Sequence, residues 1–403
     1  MKVLQINTLA RTNSTGRAVY EMHKSFLERG IESIVVASCI SKSEEQYGQY
    51  IVGNKWDMRL HALLSRLTGL QGYFSLNTTN KLLEYIEKQA PDIVVIHNIH
   101  SNFLMVQKLF QFLKLKEIPT VLVLHDFWFM TGHCVYPIYT DCLKYTNRCE
   151  HCDQIKEGNK SWFFDSSLKL WKDRKKVYDD WEKLAVVGVS NWITNCAKTA
   201  TIWNKNKYFY SIYNWIDLDK FKILENVRQK NFFTILGVSS EWNEKKGVED
   251  FAKLSWMLED EIIYLIGNIR ENVKEQFNLS KVKFITFTNS EEELVEYYNA
   301  ADVYVSMSKA ETFGKTTAEA LACGTPCIVY NIAASPELIG GHCGYLADIG
   351  DVSSVYDYIK KIKANKKKNY SQFCRKWAYE QFSREKNIEK YIDVFKEMLS
   401  IEA

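Results

Sequence analysis

The feature that most constrains the fold is an alternation of short apolar runs with amphipathic helical stretches, repeated in both halves of the chain. Residues 2–7 form a strand-like run, a helical pattern follows Gly16 and ends at Gly30, and a second strand-like run covers 33–38. Such β-loop-α-β units favour a parallel sheet with helices on both faces. The same alternation starts again at residue 232. The sequence therefore predicts an α/β protein with two doubly wound, Rossmann-like domains.

A polar, charged stretch at 223–231 separates the two halves and is the best linker candidate. A chain of 403 residues usually forms more than one core, so we expect two domains that face each other across a cleft. In open α/β sheets, ligands bind beyond the carboxyl ends of the strands. The predicted divisions are a first domain at 1–220 with a cysteine-rich loop at 133–153, a second domain at 221–381, and a helix at 382–403 that packs back toward the first domain.

The composition is that of an ordinary globular chain with a formal net charge of only +3. A charge so close to balance gives no general basis for binding nucleic acid, so none is expected as a partner. The apolar runs are too short to span a bilayer, and the N-terminal segment lacks the long apolar stretch of a signal peptide. The sequence predicts a cytoplasmic protein.

Two carboxylates, Glu311 and Glu319, lie on either side of a Phe-Gly step where a predicted strand leads into a helix. Gly314 leaves the helix N-terminus open to an anion, and the two acids can accept hydrogen bonds from hydroxyls. That combination suits a ligand with both hydroxyls and phosphates, such as a sugar nucleotide. The alternative is that both acids only stabilise the helix N-terminus electrostatically.

The segment 308–326 resembles the signature of retaining GT-B glycosyltransferases of family 4 (group 1), in the form Ser308-x-x-Glu311-x-Phe313-Gly314-x-x-x-x-Glu319-Ala320-x-Ala322-x-Gly324-x-Pro326. The resemblance implies a GT-B fold, in which 1–220 is the acceptor-side domain and 221–381 is the nucleotide-sugar-binding domain. It also implies a retaining, metal-independent transfer from a nucleotide-activated sugar. It further implies that Glu311 contacts hydroxyls of the transferred sugar and that Glu319 binds the nucleotide ribose. The backbone that would hold sugar hydroxyls and the distal phosphate belongs to Thr312, Phe313, Gly314 and Lys315.

Further positions in the second half also match the family. Lys246, which precedes Gly247, matches a family lysine that would neutralise the leaving diphosphate. The family usually has an arginine near the position of Ser239. Here either Lys245 substitutes for it, or Lys246 and the helix dipole hold the diphosphate alone. Phe287 and Thr288 lie where the family reads the nucleotide base, although a phenylalanine at a strand end is as often part of the core.

In the first half, the resemblance places Gly16 in a strand-to-helix loop against the donor phosphates or the acceptor, and Arg17 could meet a phosphate. His125 matches a family histidine that reaches the donor sugar, and is predicted to be catalytic together with Glu311 and Lys246. Asp126 and His97 are predicted on the acceptor side. The resemblance narrows to bacterial capsule, colanic-acid and exopolysaccharide glycosyltransferases at Ser14–Arg17, His97–His100, His125–Trp128 and Thr131–Cys134.

Four of the ten cysteines cluster in one loop-like segment, at Cys134, Cys142, Cys149 and Cys152. Three interpretations remain open: a structural zinc site with His133 and His151 as alternative ligands, a reduced loop that lines the acceptor site, and an optional disulfide. No cofactor is expected for catalysis itself. The Asp217-x-Asp219 pair is interpreted as a turn and cap.

The predicted partners are a nucleoside-diphosphate sugar and a saccharide acceptor, expected to be lipid-linked. The basic, aromatic segment 167–178 could lie on an anionic membrane at the inner face of the plasma membrane, or it could be a helix with a solvated charged face. Two rival functions remain open. One is a nucleotide-sugar hydrolase or epimerase on the same fold, and the other is a non-catalytic nucleotide-sugar-binding scaffold, which the missing arginine would favour.

Overall fold

The chain forms two compact units, which we call unit 1 and unit 2. Unit 1 consists of Met1–Ile212 together with Ile388–Ala403, and unit 2 consists of Tyr213–Asn387. Within them, the computed structural model describes residues 1–40, 49–225 and 231–401.

The chain passes into unit 2 before the predicted boundary at residue 220. Backbone pairing accounts for this, because the N–H of Ile216 donates to the carbonyl of Phe382 at 2.9 Å within unit 2. Asp217 forms the predicted turn, since its Oδ1 accepts from the backbone N–H groups of Asp219 and Lys220 at 3.2 Å. Residues 226–230 of the predicted linker lie outside the described residues.

Within the described residues, unit 1 contains a seven-stranded sheet in the order β3-β2-β1-β4-β5-β6-β7. All neighbouring strands are parallel. The strand order reverses between β1 and β4, which makes the loops after these two strands the switch point of the sheet. The strands are β1 (Lys2–Asn7), β2 (Glu32–Ser38), β3 (Gln49–Val52), β4 (Ile93–Ile96), β5 (Thr120–Leu124), β6 (Leu184–Gly188) and β7 (Tyr208–Ser211).

Helix α1 buries an apolar stripe that consists of Val19, Met22 and Phe26. The prediction that Gly16 lies in a loop before this helix is wrong, because the helix already begins at Asn13. The helices are α1 (Asn13–Glu28), α2 (Lys55–Thr68), α3 (Leu76–Gln89), α4 (Val106–Leu115), α5 (Ser167–Tyr178) and α6 (Asn191–Thr199).

Among the residues described, unit 2 has a six-stranded parallel sheet in the order β10-β9-β8-β11-β12-β13. Its switch point lies between β8 and β11. The two parallel sheets confirm the predicted class of two Rossmann-like domains. The strands are β8 (Thr234–Glu241), β9 (Ile262–Asn268), β10 (Val282–Ile285), β11 (Val303–Ser306), β12 (Cys327–Tyr330) and β13 (Gly344–Ala347).

One of the remaining helices, α10 (Lys315–Ala322), is flanked by Gly314 and Gly324, which both adopt left-handed conformations. The helices are α7 (Val248–Met257), α8 (Glu271–Lys274), α9 (Glu291–Ala300), α10 (Lys315–Ala322), α11 (Ser335–Leu338), α12 (Val352–Asn365), α13 (Lys368–Phe382) and α14 (Arg384–Leu399).

Most of α14 belongs to unit 1, although it follows unit 2 in the chain. Its Phe395 ring packs against Phe26 of α1 with centroids 5.6 Å apart, and Arg29 Nε donates to Glu389 Oε1 at 2.8 Å. The helix therefore completes the core of the N-terminal unit. None of the helices in the described ranges combines the length and apolar character needed to cross a membrane.

Candidate active site

The switch-point loops of unit 2 are joined through their backbones. The N–H of Lys309, after β11, donates to the carbonyl of Lys245, after β8, at 2.9 Å. Gly247 has a φ of +71°, and a Cβ at this position would lie 2.2 Å from the carbonyl oxygen of Met307. Only glycine lets the two loops approach this closely. This packing brings the Lys-Lys-Gly segment against the start of the signature segment 308–326.

Lys246 and Glu311 form an ion pair at this junction. Lys246 Nζ donates to Glu311 Oε1 at 2.5 Å, and about a third and a quarter of the two side chains are exposed. Asn243 Oδ1 accepts from the backbone N–H of Lys246 at 3.2 Å and fixes the turn that presents the lysine. An ion pair with this much solvent exposure contributes little to the free energy of unfolding. It does place a cation and a hydroxyl acceptor side by side, within reach of one ligand.

The loop between Glu311 and α10 is anchored from behind by an aromatic side chain. The Phe313 ring is buried and packs edge-on against Phe382 at 5.5 Å. Gly314, at a φ of +93°, precedes the first helical residue, and a Cβ there would lie 2.8 Å from Leu338 Cδ1. The helix has no side-chain cap, so its first turn presents backbone N–H groups that suit an anion. Thr312 is buried and Lys315 half-buried beside this turn.

Glu319 lies in the same helix but is held in a different way. Its carboxylate is buried and its Oε2 accepts from the hydroxyl of Tyr298 at 3.0 Å. Burial, and then the charge of Glu319, raise the pKa of Tyr298 well above its usual range. Tyr298 therefore remains a hydrogen-bond donor that orients the carboxylate. Sequence reasoning missed it, because a tyrosine 21 residues away in α9 carries no local signal of this contact.

The predicted base-binding residues lie farther along the sheet. Phe287 and Thr288 follow β10, the edge strand, which is separated from β8 by β9. The Phe287 side chain is 70% exposed, which excludes the core interpretation. Strand order does not bring these residues beside Lys246 or Glu311, and their contact with a base stays a prediction.

The position of the missing arginine lies near the end of β8, where the register with β9 shifts between Val238 and Glu241. There Ser239 Oγ donates to the carbonyl of Glu241 at 2.8 Å. The Lys245 side chain, proposed as a substitute, is half-buried. The backbone of β9 approaches Ser239 very closely, since a Cβ on Gly267 would lie 1.7 Å from the Ser239 carbonyl oxygen. Arg270 follows that glycine by three residues and is exposed.

In unit 1, a chain of hydrogen bonds leads to His125 through the interior. His97 Nε2 lies 3.3 Å from Gln5 Oε1, and His97 Nδ1 lies 3.1 Å from His125 Nε2. Since Gln5 Oε1 can only accept, His97 donates through Nε2, and His125 donates to His97 Nδ1. Burial lowers the pKa of His97 well below its usual range and that of His125 to about 4. Both rings are neutral at pH 7, with the acceptor lone pair of His125 on Nδ1.

A second polar pair borders this chain. His100 Nε2 lies 3.1 Å from Asp126 Oδ2, while Asp126 Oδ1 accepts from the backbone N–H of Trp128 at 2.8 Å. Burial alone would lower the pKa of His100, but the charge and hydrogen bond of Asp126 outweigh it and raise this pKa. The structure thus places His97 against His125 and His100 against Asp126, while the roles predicted for His97, His125 and Asp126 stay predictions. The sequence offered one signal for His100, the second histidine of the His-Asn-Ile-His segment.

The remaining predicted residues of unit 1 lie in the first turn of α1. A Cβ on Gly16 would lie 2.9 Å from the Leu9 carbonyl oxygen, and the Gly16 carbonyl accepts from the N–H of Arg11 at 3.0 Å. Gly16 therefore permits close packing of the helix on the loop after β1. Arg17, one residue on, is exposed. A role for either residue toward phosphate stays a prediction.

The four clustered cysteines are reduced thiols, and Cys134 and Cys152 share a hydrogen bond. That hydrogen bond and burial raise the pKa of the Cys134 thiol, while burial raises the pKa of Cys149 to about 11. Cys142 is half-buried. Across the described ranges, no three His, Cys, Asp or Glu side chains are placed to hold a metal ion. The structural zinc site and the reduced loop that lines the acceptor site both stay predictions.

Family models cover nearly the whole chain. Residues 218–381 match the family described as glycosyl transferases group 1, and residues 15–220 match glycosyltransferase family 4. The chain belongs to glycosyltransferase family 4. This confirms the resemblance that the segment 308–326 indicated and, with it, the predicted GT-B fold class.

Similar proteins include two enzymes and one solved structure. N-acetyl-alpha-D-glucosaminyl L-malate synthase of Bacillus anthracis is 28% identical over 53% of this chain and 60% of its own length. UDP-Gal:alpha-D-GlcNAc-diphosphoundecaprenol alpha-1,3-galactosyltransferase of Escherichia coli is 24% identical over 46% of this chain and 53% of its own length. The structure of Anabaena Alr3699/HepE in complex with UDP-glucose aligns over 98% of this chain and 100% of that one, with 15% identity and a TM-score of 0.66, and shares the fold. The two curated matches thus span little more than half of each relative.

Proposed function

We propose that this family 4 protein transfers a sugar from a nucleoside-diphosphate sugar to a saccharide acceptor, with retention of configuration. The observation that carries the proposal is the Lys246–Glu311 ion pair at the switch point of unit 2, next to the uncapped start of α10. The names of the relatives support the same class of donor, because one names a UDP-galactose donor and one structure contains UDP-glucose.

In this proposal the donor binds along the signature segment. Glu311 accepts hydrogen bonds from hydroxyls of the transferred sugar, and Lys246 neutralises the diphosphate. Backbone N–H groups at the start of α10 hold the distal phosphate, which suits the positive end of a helix dipole. Glu319, oriented by Tyr298, binds the ribose. In the ligand-free protein the ion pair holds the side chains of Lys246 and Glu311 close to the positions from which they bind the donor. Donor binding would separate the two side chains.

The reaction we propose proceeds on one face of the sugar. The bond between the anomeric carbon and the diphosphate oxygen breaks, the acceptor oxygen bonds to the same face, and the acceptor proton passes to the leaving phosphate. Lys246 stabilises the negative charge that develops on the diphosphate, so the step needs a protein cation in place of a metal. Neutral His125 contributes a hydrogen bond to the transferred sugar, while Asp126 and His97 belong to the acceptor side.

A second cation would complete the charge balance around two phosphates, and we assign it to Arg270. Two observations support the assignment. The loop that carries Arg270 leaves β9 directly against Ser239, where family members usually have an arginine, and the side chain is exposed. The R270A variant should bind UDP more weakly, by about tenfold, as expected for one charge-assisted hydrogen bond. An unchanged Kd for UDP would return the role to Lys245.

We further propose a lipid-linked acceptor and a role in bacterial surface polysaccharide synthesis at the inner face of the plasma membrane. The diphosphoundecaprenol in the name of the Escherichia coli relative supports this acceptor class. Such an acceptor is anchored in a bilayer, so the enzyme would work at the membrane surface.

The test is release of nucleoside diphosphate from a panel of nucleotide sugars, with and without a bacterial membrane extract. The proposal expects turnover that depends on the extract and a product with the anomeric configuration of the donor. Turnover with water alone would favour a hydrolase, while donor binding without any turnover would favour the scaffold. Inverted product would overturn the mechanism. A chelator in the assay tests whether the reaction needs a metal.

A further inference from the structure

The outer face of α2 carries large apolar side chains that unit 1 does not bury. Trp56, Leu60 and Leu63 follow one another at helical spacing, and Trp56 is 77% exposed. The opposite side of the helix faces the interior, where His61 and Ser65 are buried. An apolar stripe on the solvent side of an otherwise well-packed helix indicates a surface that something else covers.

A second exposed apolar segment lies against the end of the same helix. Residues 162–164, with the sequence Trp-Phe-Phe, are all exposed, and Phe163 is 71% accessible. The N–H of Trp162 donates to the carbonyl of Arg66 at 2.7 Å, and Ser166 Oγ donates to the carbonyl of Thr68 at 2.8 Å. These bonds join the segment to the C-terminal turn of α2. We call the combined surface the α2 face.

The α2 face is basic as well as apolar. The six exposed residues of α2 are three apolar and three basic, the basic ones being Lys55, Arg59 and Arg66. The guanidinium of Arg59 lies 5.3 Å from the Trp56 ring centre. The only acid of the helix, Asp57, turns inward and accepts from Thr78 Oγ1 at 2.8 Å.

The neighbouring segment 156–165 adds Lys156 and Lys160 to the basic side, against two exposed acids, Glu157 and Asp165. Asp165 is occupied within the fold, because its carboxylate accepts from the backbone N–H groups of Cys152 and Ser167 at 2.7 and 2.8 Å. Five basic residues against two acids leave the face with a net positive charge.

We infer that the α2 face docks unit 1 on the surface of an anionic lipid bilayer. Aromatic side chains next to lysine and arginine are typical of helices that lie in the interfacial region, where the rings enter the headgroup layer and the cations meet lipid phosphates. A second copy of this chain fits less well, because a symmetric contact would bring the same positive charges together. The inference deepens the proposed function, on which it rests for the bilayer-anchored acceptor.

The surface differs from the segment 167–178 that the sequence indicated for membrane contact. That segment is α5, whose Trp171 and Val177 are buried. Arg174 is buried too, and donates to the carbonyl of Thr131 at 2.7 Å while its guanidinium lies 4.2 Å from the Trp128 ring centre. The aromatic and central basic side chains of α5 are therefore committed to the interior of unit 1, which favours the alternative interpretation of a helix with a solvated charged face.

The test is flotation of the full chain with vesicles of phosphatidylcholine alone and of phosphatidylcholine mixed with phosphatidylglycerol. The wild-type chain should float only with the anionic vesicles, and added salt should weaken the binding. The F163S/F164S variant should bind at least about tenfold more weakly, from lost apolar burial. The R59Q/R66Q variant should lose roughly fivefold per residue. All these side chains are exposed, so melting temperatures should stay at the wild-type value.

The matched control is L115S, which removes an 82% exposed leucine from α4 of the same unit and should leave vesicle binding unchanged. Wild-type binding that is equal on both vesicle types, or variants that bind like the control, would overturn the inference. So would a dimer that the same substitutions dissociate. Turnover with a water-soluble acceptor and no vesicles tests the transferase activity alone, because that reaction does not need the α2 face. A failure of membrane docking can therefore be told apart from a failure of the proposed function.

Discussion

Removing the Lys246 side chain should harm transfer far more than it harms folding. The ion pair with Glu311 is short, at 2.5 Å, but about a third of the lysine and a quarter of the glutamate are exposed. Pairs this accessible contribute about 0–1 kcal/mol to the free energy of unfolding, because water and salt screen them. For a unit of this size, a loss of 1 kcal/mol lowers the melting temperature by only about 2–4 °C.

The expected loss of transition-state stabilisation is larger than this loss of folding stability. A positioned group that stabilises developing negative charge contributes roughly 10²–10³ in rate, or about 2.7–4 kcal/mol. The K246A variant should therefore lose about that factor in kcat/KM for the donor, and K246R should recover part of it. E311Q should also lose activity, since a neutral amide accepts hydrogen bonds from sugar hydroxyls more weakly than a carboxylate.

The assay pairs thermal melting with release of nucleoside diphosphate. The matched control is K274A, which removes a lysine of similar exposure from an ion pair with Glu271 at 2.6 Å elsewhere in unit 2. This control should melt within the same few degrees and keep its activity. Large destabilisation in K246A with nearly normal kcat/KM would refute the reasoning and show that the pair is structural.

Three further outcomes follow from the contacts of single residues. Y298F removes a buried hydrogen bond to Glu319 and should lower the free energy of unfolding by about 2 kcal/mol in urea titrations; a change below the error would mean the carboxylate is held by other groups. G314A should destabilise by about 1–3 kcal/mol in the same titrations, since alanine meets both an unfavourable φ and the Leu338 methyl group. Burial lowers the pKa of His61 to about 4, so this side chain stays neutral in the folded protein while the unfolded chain takes up a proton. Its contribution to the free energy of unfolding is present above pH 6.5 and should fall by about 2 kcal/mol between pH 7 and 5. The H61Q variant should reduce this dependence of stability on pH.

The sequence predicted the site of unit 2 better than that of unit 1, for a physical reason. Glu311, Gly314 and α10 follow one another along the chain, so local rules for strands, glycines and helix starts apply to them directly. Contacts between distant segments, such as Tyr298 with Glu319, depend on how strands and helices stack, and no local pattern encodes them.

Three features of unit 1 differ from what its sequence suggested. Gly16 suggests a loop because glycine often breaks helices, but here it permits close packing of the first turn of α1 against Leu9. Helix α2 escaped prediction because its apolar residues point to solvent as well as to the core, which blurs the periodic pattern. The basic run of α5 suggested a surface, whereas Arg174 is buried by bonding to backbone carbonyls that lie far away in sequence.

The placement of α14 also sets an order of events during synthesis. Unit 2 is one continuous stretch, so the ribosome completes it while unit 1 still lacks the helix that covers Phe26. The N-terminal unit emerges first yet can be finished only after residues 388–399 have left the exit tunnel. Its apolar surface stays uncovered through the translation of all of unit 2, the interval in which a nascent chain most needs protection from aggregation.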